Sequence, residues 1–300
     1  MAGREQITAV EGGLLVLAPA KINLSLLIAG KRPDGFHEIE TIMAKVNWYD
    51  EILIQAGRKP GVELICKGPH WAPKGRENLV HQAAARLLES CGSKAGLKVT
   101  LTKNIPAGTG LGSASSDAAA TLIGLNRHLD LGWDKERLSE LAATLGSDVA
   151  FFLNGPLAFC TGRGEKVEKI DGNFDFLALL ILPDISVSTK EVYANYRPNR
   201  GCYEKLSVKI NSHIKEKRID LAVAMCANML QETCFGLAGS LAELKGKIES
   251  LGMRPCCLSG SGSAFFCISE SGDEDIVRRW DHTLETEIGC KSVIVRNSRW

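Results

Sequence analysis

The chain has 300 residues, which is enough to bury a sizeable core and favours two domains over one. Its 36 basic and 35 acidic side chains leave a formal net charge of +1, which argues against a nucleic-acid-binding or membrane-surface protein. No apolar run approaches the ~20 residues of a membrane span, and the apolar stretch at residues 13–20 is too short for a signal peptide, so we expect a cytoplasmic protein.

Periodicity predicts an N-terminal half in which short strands alternate with helices. Alternating apolar residues predict strands at residues 14–17, 22–28, 52–55, 62–66 and 97–101. Helical spacing predicts one helix from Asn78 to Cys91 and another from Asp134 to Gly146. In the second strand, Lys21, Asn23 and Ser25 alternate with apolar residues and therefore share one polar face. That face suits a binding site, although an exposed strand lysine is the alternative interpretation of Lys21.

The segment from Asn104 to Asp117 has the residue types of a phosphate-binding loop. Three glycines alternate with other residues and allow backbone N–H groups to approach an anion: Gly108, Gly110 and Gly112. Ser115 or Ser116 is expected to cap the following helix, whose N-terminus favours a bound phosphate. The spacing matches neither the P-loop nor the dinucleotide fingerprint. A solvent-exposed loop between a strand and a helix is the alternative.

Asp148 is the candidate for acid–base chemistry in this half. It follows Gly146, where the preceding helix is predicted to end, and it precedes an apolar turn at residues 149–153. Its carboxylate can therefore project from a helix start. Position alone allows either a catalytic base or a simple N-cap.

The second half is also predicted to mix strands and helices. Strands are expected at residues 174–182, 264–268 and 293–295, and helices at residues 221–230, 237–251 and 276–284. The basic stretch from Arg200 to Arg218 contains Glu204 and Glu216, so we expect a solvated loop and helix edge there. The two α+β halves are expected to join near residues 162–172.

Ten cysteines form no Cys-x-x-Cys pair of a zinc or redox site. Cys256 and Cys257 are adjacent, which suits neither a normal disulfide nor a metal pair. Most of the others lie in apolar runs. We therefore expect buried free thiols in a reducing compartment.

Three segments together resemble the motifs of the GHMP kinases, a superfamily of small-molecule kinases. They are residues 19–24, the glycine loop and residues 258–263, and they occur in the order typical of the family. The resemblance implies an α+β fold with two domains. It implies a ribosomal-protein-S5-domain-2-like ATP-binding and catalytic half at residues 1–165. A ferredoxin-like half at residues 166–300 would contribute to substrate binding.

The resemblance also implies phosphoryl transfer from ATP to an alcohol, with Mg²⁺ carried on ATP and no metal ligand assigned in the protein. Asp148 would be the base, assisted by Lys21. The implied ATP contacts are Pro106, Ala107, Gly108, Thr109, Gly110, Leu111, Gly112, Ser113, Ala114, Ser115 and Ser116. The third glycine motif would comprise Ser259, Gly260, Ser261 and Gly262.

Within the superfamily the sequence is most similar to a branch whose small-molecule substrate carries a cytidine diphosphate group. Residues 32–41, 145–152 and 185–193 carry this similarity, with Phe36 where tyrosine is common and Ser147 where alanine is common. The resemblance implies substrate contacts from Asn23, Phe36, His37, Thr189 and Tyr193. His37 would contact the base edge, and the two aromatic rings would stack on the base.

Three alternatives remain open at this stage. The tripeptide at residues 35–37 is also typical of a hairpin turn with a core phenylalanine and a surface histidine. Another GHMP kinase, acting on homoserine or a mevalonate-like acid, would share the glycine loop. A catalytically inactive relative would serve as a binding module.

Overall fold

The computed structural model describes residues 5–170, 174–269 and 272–300. The first sheet contains seven strands: β1 Ile7–Val10, β2 Gly13–Lys31, β3 His37–Ala56, β4 Gly61–Lys67, β5 Gly96–Thr102, β6 Leu157–Gly162 and β7 Lys166–Lys169. Its path runs β1-β2-β3-β5-β4, and β6 pairs with β3 and with β7. All pairs are antiparallel except β4 with β5.

The long strands β2 and β3 form the spine of this sheet. The two strands predicted at residues 14–17 and 22–28 are one strand, because a bulge at Pro19 and Ala20 lets the pairing with β3 continue. The sequence did not predict the first part of β3, because residues 41–46 are buried on both faces and do not alternate between polar and apolar side chains. One end of β3 pairs with β5 and the other with β6.

Helices cover one face of the first sheet: α1 Leu79–Ser90, α2 Ser113–His128, α3 Lys135–Ala143 and α4 Val149–Phe152. Their buried side chains pack against Val16, Ile52 and Ile54 of the sheet. The predicted bounds of α1 are confirmed to within one residue, because the Asn78 side chain caps the helix by accepting the Val80 N–H at 2.9 Å. Asp134 caps α3 in the same way.

The second sheet contains β8 Leu177–Leu182, β9 Cys256–Leu258, β10 Phe265–Ser269 and β11 Lys291–Arg296. All its pairs are antiparallel, in the order β11-β8-β10-β9. Numbered within this half, that order is 4-1-3-2, as in ferredoxin-like domains. The α+β two-domain fold is therefore confirmed.

The described residues of this half contain six α-helices: α5 Thr189–Asn195, α6 Arg200–Lys215, α7 Ile219–Ala224, α8 Gln231–Leu237, α9 Gly239–Ser250 and α10 Glu274–Thr283. A π-helical segment, Leu284–Ile288, follows α10. The basic stretch forms α6, in which only Ile210 is buried, so most of it is solvated as expected. The helix predicted at residues 221–230 is wrong, because the chain leaves α7 at Met225 and pairs with Leu26 of β2 before α8 begins. None of the helices in the described residues is long and apolar enough to cross a bilayer.

The two halves share a core. Ile22 and Leu24 of β2 pack in one apolar cluster with Ala178, Leu180 and Phe266 of the second sheet. Strand β7 lies beyond the predicted boundary at residue 165, yet it pairs with β6 and so extends the first sheet to Lys169. The predicted junction at residues 162–172 ends outside the described residues, since 171–173 are not described.

The cysteines are a partial correction. Eight of the ten are free thiols, as expected, but only four of these are buried: Cys160, Cys234, Cys256 and Cys267. Cys226 and Cys257, however, form a disulfide with an S–S distance of 2.07 Å. The turn after α7 brings Cys226 beside β9, where its Cα lies 5.5 Å from that of Cys257. A separation of 31 residues hid this pairing from sequence inspection.

Candidate active site

A cavity of about 880 Å³ opens between the two halves. The glycine loop at residues 106–115 forms one wall, and the predicted catalytic and substrate residues line the rest: Lys21, Asn23, Phe36, His37, Asp148, Thr189, Tyr193, Gly260 and Ser261. Ser116, Ser259 and Gly262 are not among the lining residues. Ser116 and Ser259 are buried, with 1% and 0% of their surface exposed.

The glycine loop is shaped to receive an anion. Gly108, Gly110 and Gly112 have φ of 73°, 78° and 69°, a region that other residues rarely adopt. In the described part of the chain, the N–H groups of residues 107–115 donate to no protein acceptor. Unpaired N–H groups at a glycine turn and a helix start fit a phosphate group.

Contacts from both halves hold this loop in place. The Lys21 N–H donates to the Leu111 carbonyl at 2.9 Å, and the Ala264 N–H donates to the Thr109 carbonyl at 3.1 Å. The Ser259 hydroxyl donates to the Gly110 carbonyl at 3.0 Å. Ser259 therefore supports the loop from behind, which explains why it does not line the cavity.

The predicted cap of α2 is wrong. The helix begins at Ser113, and Gly112 occupies the N-cap position without a side-chain hydrogen bond. The left-handed turn at Gly112 starts the helix earlier than a serine cap at residue 115 or 116 would. Ser116 already donates its N–H to the Gly112 carbonyl at 3.0 Å, so it has no free amide for a nucleotide.

A buried ion cluster lies beneath the loop. Lys103 is 2% exposed and pairs with Asp50 and Asp117, the latter at 2.6 Å. The other Asp50 oxygen accepts the Ile105 N–H at 2.8 Å. Burial raises the pKa of Asp117 well above its usual range, although Lys103 opposes the shift. The cluster ties α2 to the entry of the loop, and sequence inspection missed it because its members are far apart in the chain.

Lys21 and Asp148 face each other in the cavity. Their Nζ and Oδ2 atoms lie 3.7 Å apart, and the Asp148 side chain is about one third exposed. The Asp148 carboxylate makes no capping hydrogen bond to α4, although the residue occupies the N-cap position. The simple N-cap interpretation is therefore wrong, and the carboxylate is free to accept a proton from a ligand.

Lys21 is not an exposed strand lysine, because only 4% of it is accessible. Its ammonium donates to Asn23 Oδ1, and Asn23 Nδ2 donates to the Thr41 hydroxyl at 2.8 Å. Burial lowers the pKa of Lys21, while Asp148 opposes the shift. A register shift after Asn23 turns Ser25 away, so Ser25 does not join the predicted polar face and instead accepts the Ile42 N–H.

A second buried lysine supports α4, which carries Asp148 at its start. Lys45 of β3 is 1% exposed and donates to the carbonyls of Phe152 at 3.0 Å and Asn154 at 2.6 Å. Burial, together with the nearby charge of Lys135, lowers the pKa of Lys45 to about 7. Lys45 shows no sequence signal, because it sits in an apolar run of a strand that was not predicted.

Lys45 should make stability depend on pH. Between pH about 7 and the ordinary lysine pKa of 10.5, the unfolded chain holds a proton that folded Lys45 has lost. Through Lys45, raising the pH across this interval therefore stabilises the fold by at most about 1.4 kcal/mol per pH unit. Below pH about 7 Lys45 is protonated in both states, so its contribution to the free energy of unfolding no longer changes with pH. We expect urea unfolding at several pH values between about 7 and 9 to show that the wild type gains stability relative to Lys45→Met as the pH rises.

The exposed Lys205 offers a matched control. Lys205→Met should keep the pH slope of the wild type. Equal slopes for Lys45→Met and the wild type would contradict the depressed pKa of Lys45.

The predicted base-binding residues line the same cavity, and two of them, His37 and Tyr193, are in contact. The His37 ring centroid lies 5.3 Å from that of Tyr193 and 5.9 Å from that of Tyr196. Phe36 is 50% exposed, so the interpretation as a core phenylalanine is wrong, although the segment does form the turn between β2 and β3. Burial, and secondarily Lys31, lowers the pKa of His37 and favours the neutral ring.

The third glycine motif and α5 complete the wall. The hydroxyls of Thr189 and Ser261 are 2.8 Å apart. Asn228, which had no sequence signal, donates to the carbonyls of Leu258 at 2.9 Å and Gly260 at 2.8 Å. These bonds tie the motif to α5 and to the segment between α7 and α8.

Sequence inspection also missed three cations that line the cavity: Lys31, Arg163 and Lys190. Arg163 stands between two glycines, a signal that could have marked it as a turn residue near a site. In the described part of the chain, Asp148 is the one carboxylate in the lining. The described residues contain no group of three or more His, Cys, Asp or Glu side chains that could hold a metal ion.

Comparison with known proteins identifies the relatives of this arrangement. Residues 78–156 match the family described as GHMP kinases N terminal domain. The chain is 39% identical over 256 residues to 4-diphosphocytidyl-2-C-methyl-D-erythritol kinase of Bacillus cereus (strain B4264), covering 84% of this chain and 87% of that protein. A Bacillus anthracis protein of the same name is 38% identical over the same shares.

Solved structures agree with these relatives. A crystal structure of 4-(cytidine 5'-diphospho)-2C-methyl-D-erythritol kinase has a TM-score of 0.74 and 32% identity, covering 95% of this chain and 99% of that chain. The homoserine kinase from Cytophaga hutchinsonii has a TM-score of 0.76 at 20% identity, covering 99% and 98%. At that identity the likeness shows the fold alone.

Proposed function

The chain belongs to the 4-diphosphocytidyl-2-C-methyl-D-erythritol kinase family of the GHMP kinases, and from this premise we propose its reaction. It transfers the γ-phosphoryl group of ATP to the 2-hydroxyl of 4-diphosphocytidyl-2-C-methyl-D-erythritol, in the non-mevalonate pathway to isoprenoid precursors. The observation that carries the proposal is the meeting of a glycine loop, a Lys21–Asp148 pair and a His37–Tyr193 pair in one cavity.

ATP binds through the glycine loop in this proposal. The unpaired N–H groups of residues 107–115 donate to its phosphate oxygens, and the start of α2 adds its positive dipole end. Mg²⁺ bound with the nucleotide would supply neutralisation of the phosphate charge, and no residue of the protein is assigned as its ligand. Ser259 supports the loop from behind, and neither Ser259 nor Ser116 touches the nucleotide.

Asp148 acts as the base. Its carboxylate accepts the proton of the attacking 2-hydroxyl, and Lys21 stabilises the charge that develops on that oxygen. The hydrogen bonds from Lys21 to Asn23 and from Asn23 to Thr41 orient the ammonium. Burial makes Lys21 a strong partner, because charges interact more strongly away from water.

The cytidine occupies the end formed by Phe36, His37 and Tyr193. A neutral His37 offers one N–H donor and one acceptor to the base edge, and the aromatic rings stack on its faces. Thr189 and Ser261, which already share a hydrogen bond, lie where a polar part of the substrate would pass. Residues from both halves are therefore needed to bind this substrate.

The domain division follows the same logic. We propose an N-terminal ATP-binding and catalytic domain that ends after β7, at Lys169, instead of at residue 165. The remaining residues form the domain that completes the substrate site. A cytoplasmic location is also proposed; the eight free cysteines support it, whereas the Cys226–Cys257 disulfide does not.

Initial rates with ATP test the proposed function. We expect phosphorylation of the cytidine substrate and no turnover of homoserine or mevalonate. The uridine form presents a donor at N3 and a carbonyl at C4, which leaves polar groups of a cytosine site unpaired, so its kcat/KM should fall by about 100-fold or more.

His37→Ala should lower kcat/KM for the cytidine form and so reduce the preference for cytidine over uridine. The KM for ATP should stay nearly unchanged. Equal kcat/KM values for the two bases would reject the cytidine site. Turnover of homoserine or mevalonate would reassign the chain to another GHMP activity, and no turnover of any substrate would indicate an inactive relative.

A further inference from the structure

The turn between β6 and β7 brings Arg163 into the lining of the cavity. Gly162 and Gly164 flank it with φ of 74° and 117°, so the backbone reverses tightly at this point. The Glu165 carboxylate accepts the Arg163 N–H and closes the turn. Gly164 lies so close to Asp148 that a Cβ placed on it would be 3.4 Å from Asp148 Oδ1.

The Arg163 side chain lines the cavity and reaches toward the base-binding end. Its guanidinium carbon lies 4.8 Å from the centroid of the Phe36 ring. In the described residues, no carboxylate lies within 4.0 Å of this guanidinium and its side chain donates no hydrogen bond; the nearby Asp34 interacts with its charge from a longer distance and is itself paired with Arg32. A guanidinium stacked on a ring keeps its N–H edge available for an anion.

The cavity lining carries an excess of positive charge, which favours an anionic ligand. Lys21, Lys31, Arg163 and Lys190 line it, against the single carboxylate of Asp148 in the described part of the chain. Lys21 is already engaged by Asn23 and Asp148. The glycine loop receives the phosphates of ATP on a different wall, so Arg163 is available for a second anionic group.

We propose that Arg163 binds the diphosphate of the substrate and is the residue that makes this site bind a cytidine diphosphate more tightly than the bare nucleoside. The inference rests on the proposed function, in which the cytosine lies against Phe36 and the reacting hydroxyl lies at Asp148. The diphosphate joins these two parts of the molecule and must lie between them. Arg163 spans the same interval, with its backbone beside Asp148 and its guanidinium on Phe36. A guanidinium fork matches phosphate oxygens with two parallel hydrogen bonds.

Binding of cytidine, CMP and CDP tests the role of Arg163. Affinities are measured by calorimetry with the ATP site saturated by a non-hydrolysable ATP analogue and Mg²⁺. We expect the wild type to bind CDP about tenfold or more tightly than cytidine, because hydrogen bonds to charged groups are strong. In Arg163→Met this ratio should fall to within about threefold, with cytidine affinity nearly unchanged. Arg163→Lys should lie between the two, since lysine keeps the charge without the fork.

Arg200 provides the matched control, because its side chain is 87% exposed on α6 and pairs with Glu204. Arg200→Met should bind all three ligands like the wild type. A preserved CDP preference in a folded Arg163→Met would overturn the proposal. Equal weakening of cytidine and CDP would overturn it too, since Arg163 would then act only through Phe36. Failure of the wild type to bind any cytidine ligand would instead reject the proposed function and this inference with it.

Discussion

Asp148→Asn is expected to lower kcat by about 100-fold or more, the usual scale for a positioned base, while the affinities for ATP and the cytidyl substrate stay within a few-fold. The amide keeps the size of the side chain but cannot accept the hydroxyl proton. The variant should fold normally, because the carboxylate makes no capping bond to α4 and is partly exposed. Single-turnover and steady-state rates, with ligand affinities measured separately, check this expectation.

Asp134→Asn is the matched control for this experiment. The Asp134 carboxylate caps α3 by accepting the Arg137 N–H at 2.9 Å, and Asp134 does not line the cavity. Its replacement is nearly neutral in capping terms, since asparagine is also a good cap, and it should leave turnover unchanged. Near-normal turnover of Asp148→Asn would remove Asp148 from the chemistry.

Gly110→Val is expected to weaken ATP binding by about 100-fold or more, by combining strain at a positive φ with a displaced phosphate loop. Gly110 has φ of 78°, and a Cβ placed on it would lie 2.1 Å from the Ser259 carbonyl oxygen. The loop and the third glycine motif must therefore move apart. Nucleotide affinity, measured by calorimetry on protein whose melting curve confirms folding, tests the effect.

Gly92→Val is the control that separates backbone strain at a positive φ from displacement of the phosphate loop. Gly92 has φ of 65°, but a Cβ there would meet no atom within 4 Å, and the residue does not line the cavity. That variant should lose some stability and keep its ATP affinity. Gly110→Ala offers a smaller change if the valine variant fails to fold. Unchanged ATP affinity in a folded Gly110 variant would place the phosphate site elsewhere.

Local signals in the sequence were sufficient for part of this site. The alternating glycines predicted the turn, and the order of strand, loop and helix placed it at the start of α2. The residues around Lys21 and Asp148 matched known motifs, so their meeting in one cavity was expected. Only the structure, however, could distinguish a buried Lys21 from an exposed one, since burial depends on elements that are distant in the chain.

The rest of the site depends on long-range packing. The Lys103 cluster joins residues 50, 103 and 117, and no local pattern links them. Lys45 lies in a strand buried on both faces, where polar and apolar residues do not alternate. A single lysine in such an apolar run gives no indication of a buried functional role. Ser25 turns away because of a bulge that only pairing with β3 produces. These features follow from tertiary contacts, which one sequence does not display.

The glycine loop is held by residues of both halves, so the two halves cannot be exchanged independently. Leu111 is bound by β2, whereas Thr109 and Gly110 are bound by residues 264 and 259 of the other half. The phosphate-binding surface is thus assembled jointly, even though all its amides belong to the N-terminal half. A chimera that exchanged the C-terminal half with a distant relative would therefore alter nucleotide binding as well as substrate choice. In this architecture, a change in the C-terminal half therefore alters the choice of acceptor and the affinity for the nucleotide at the same time.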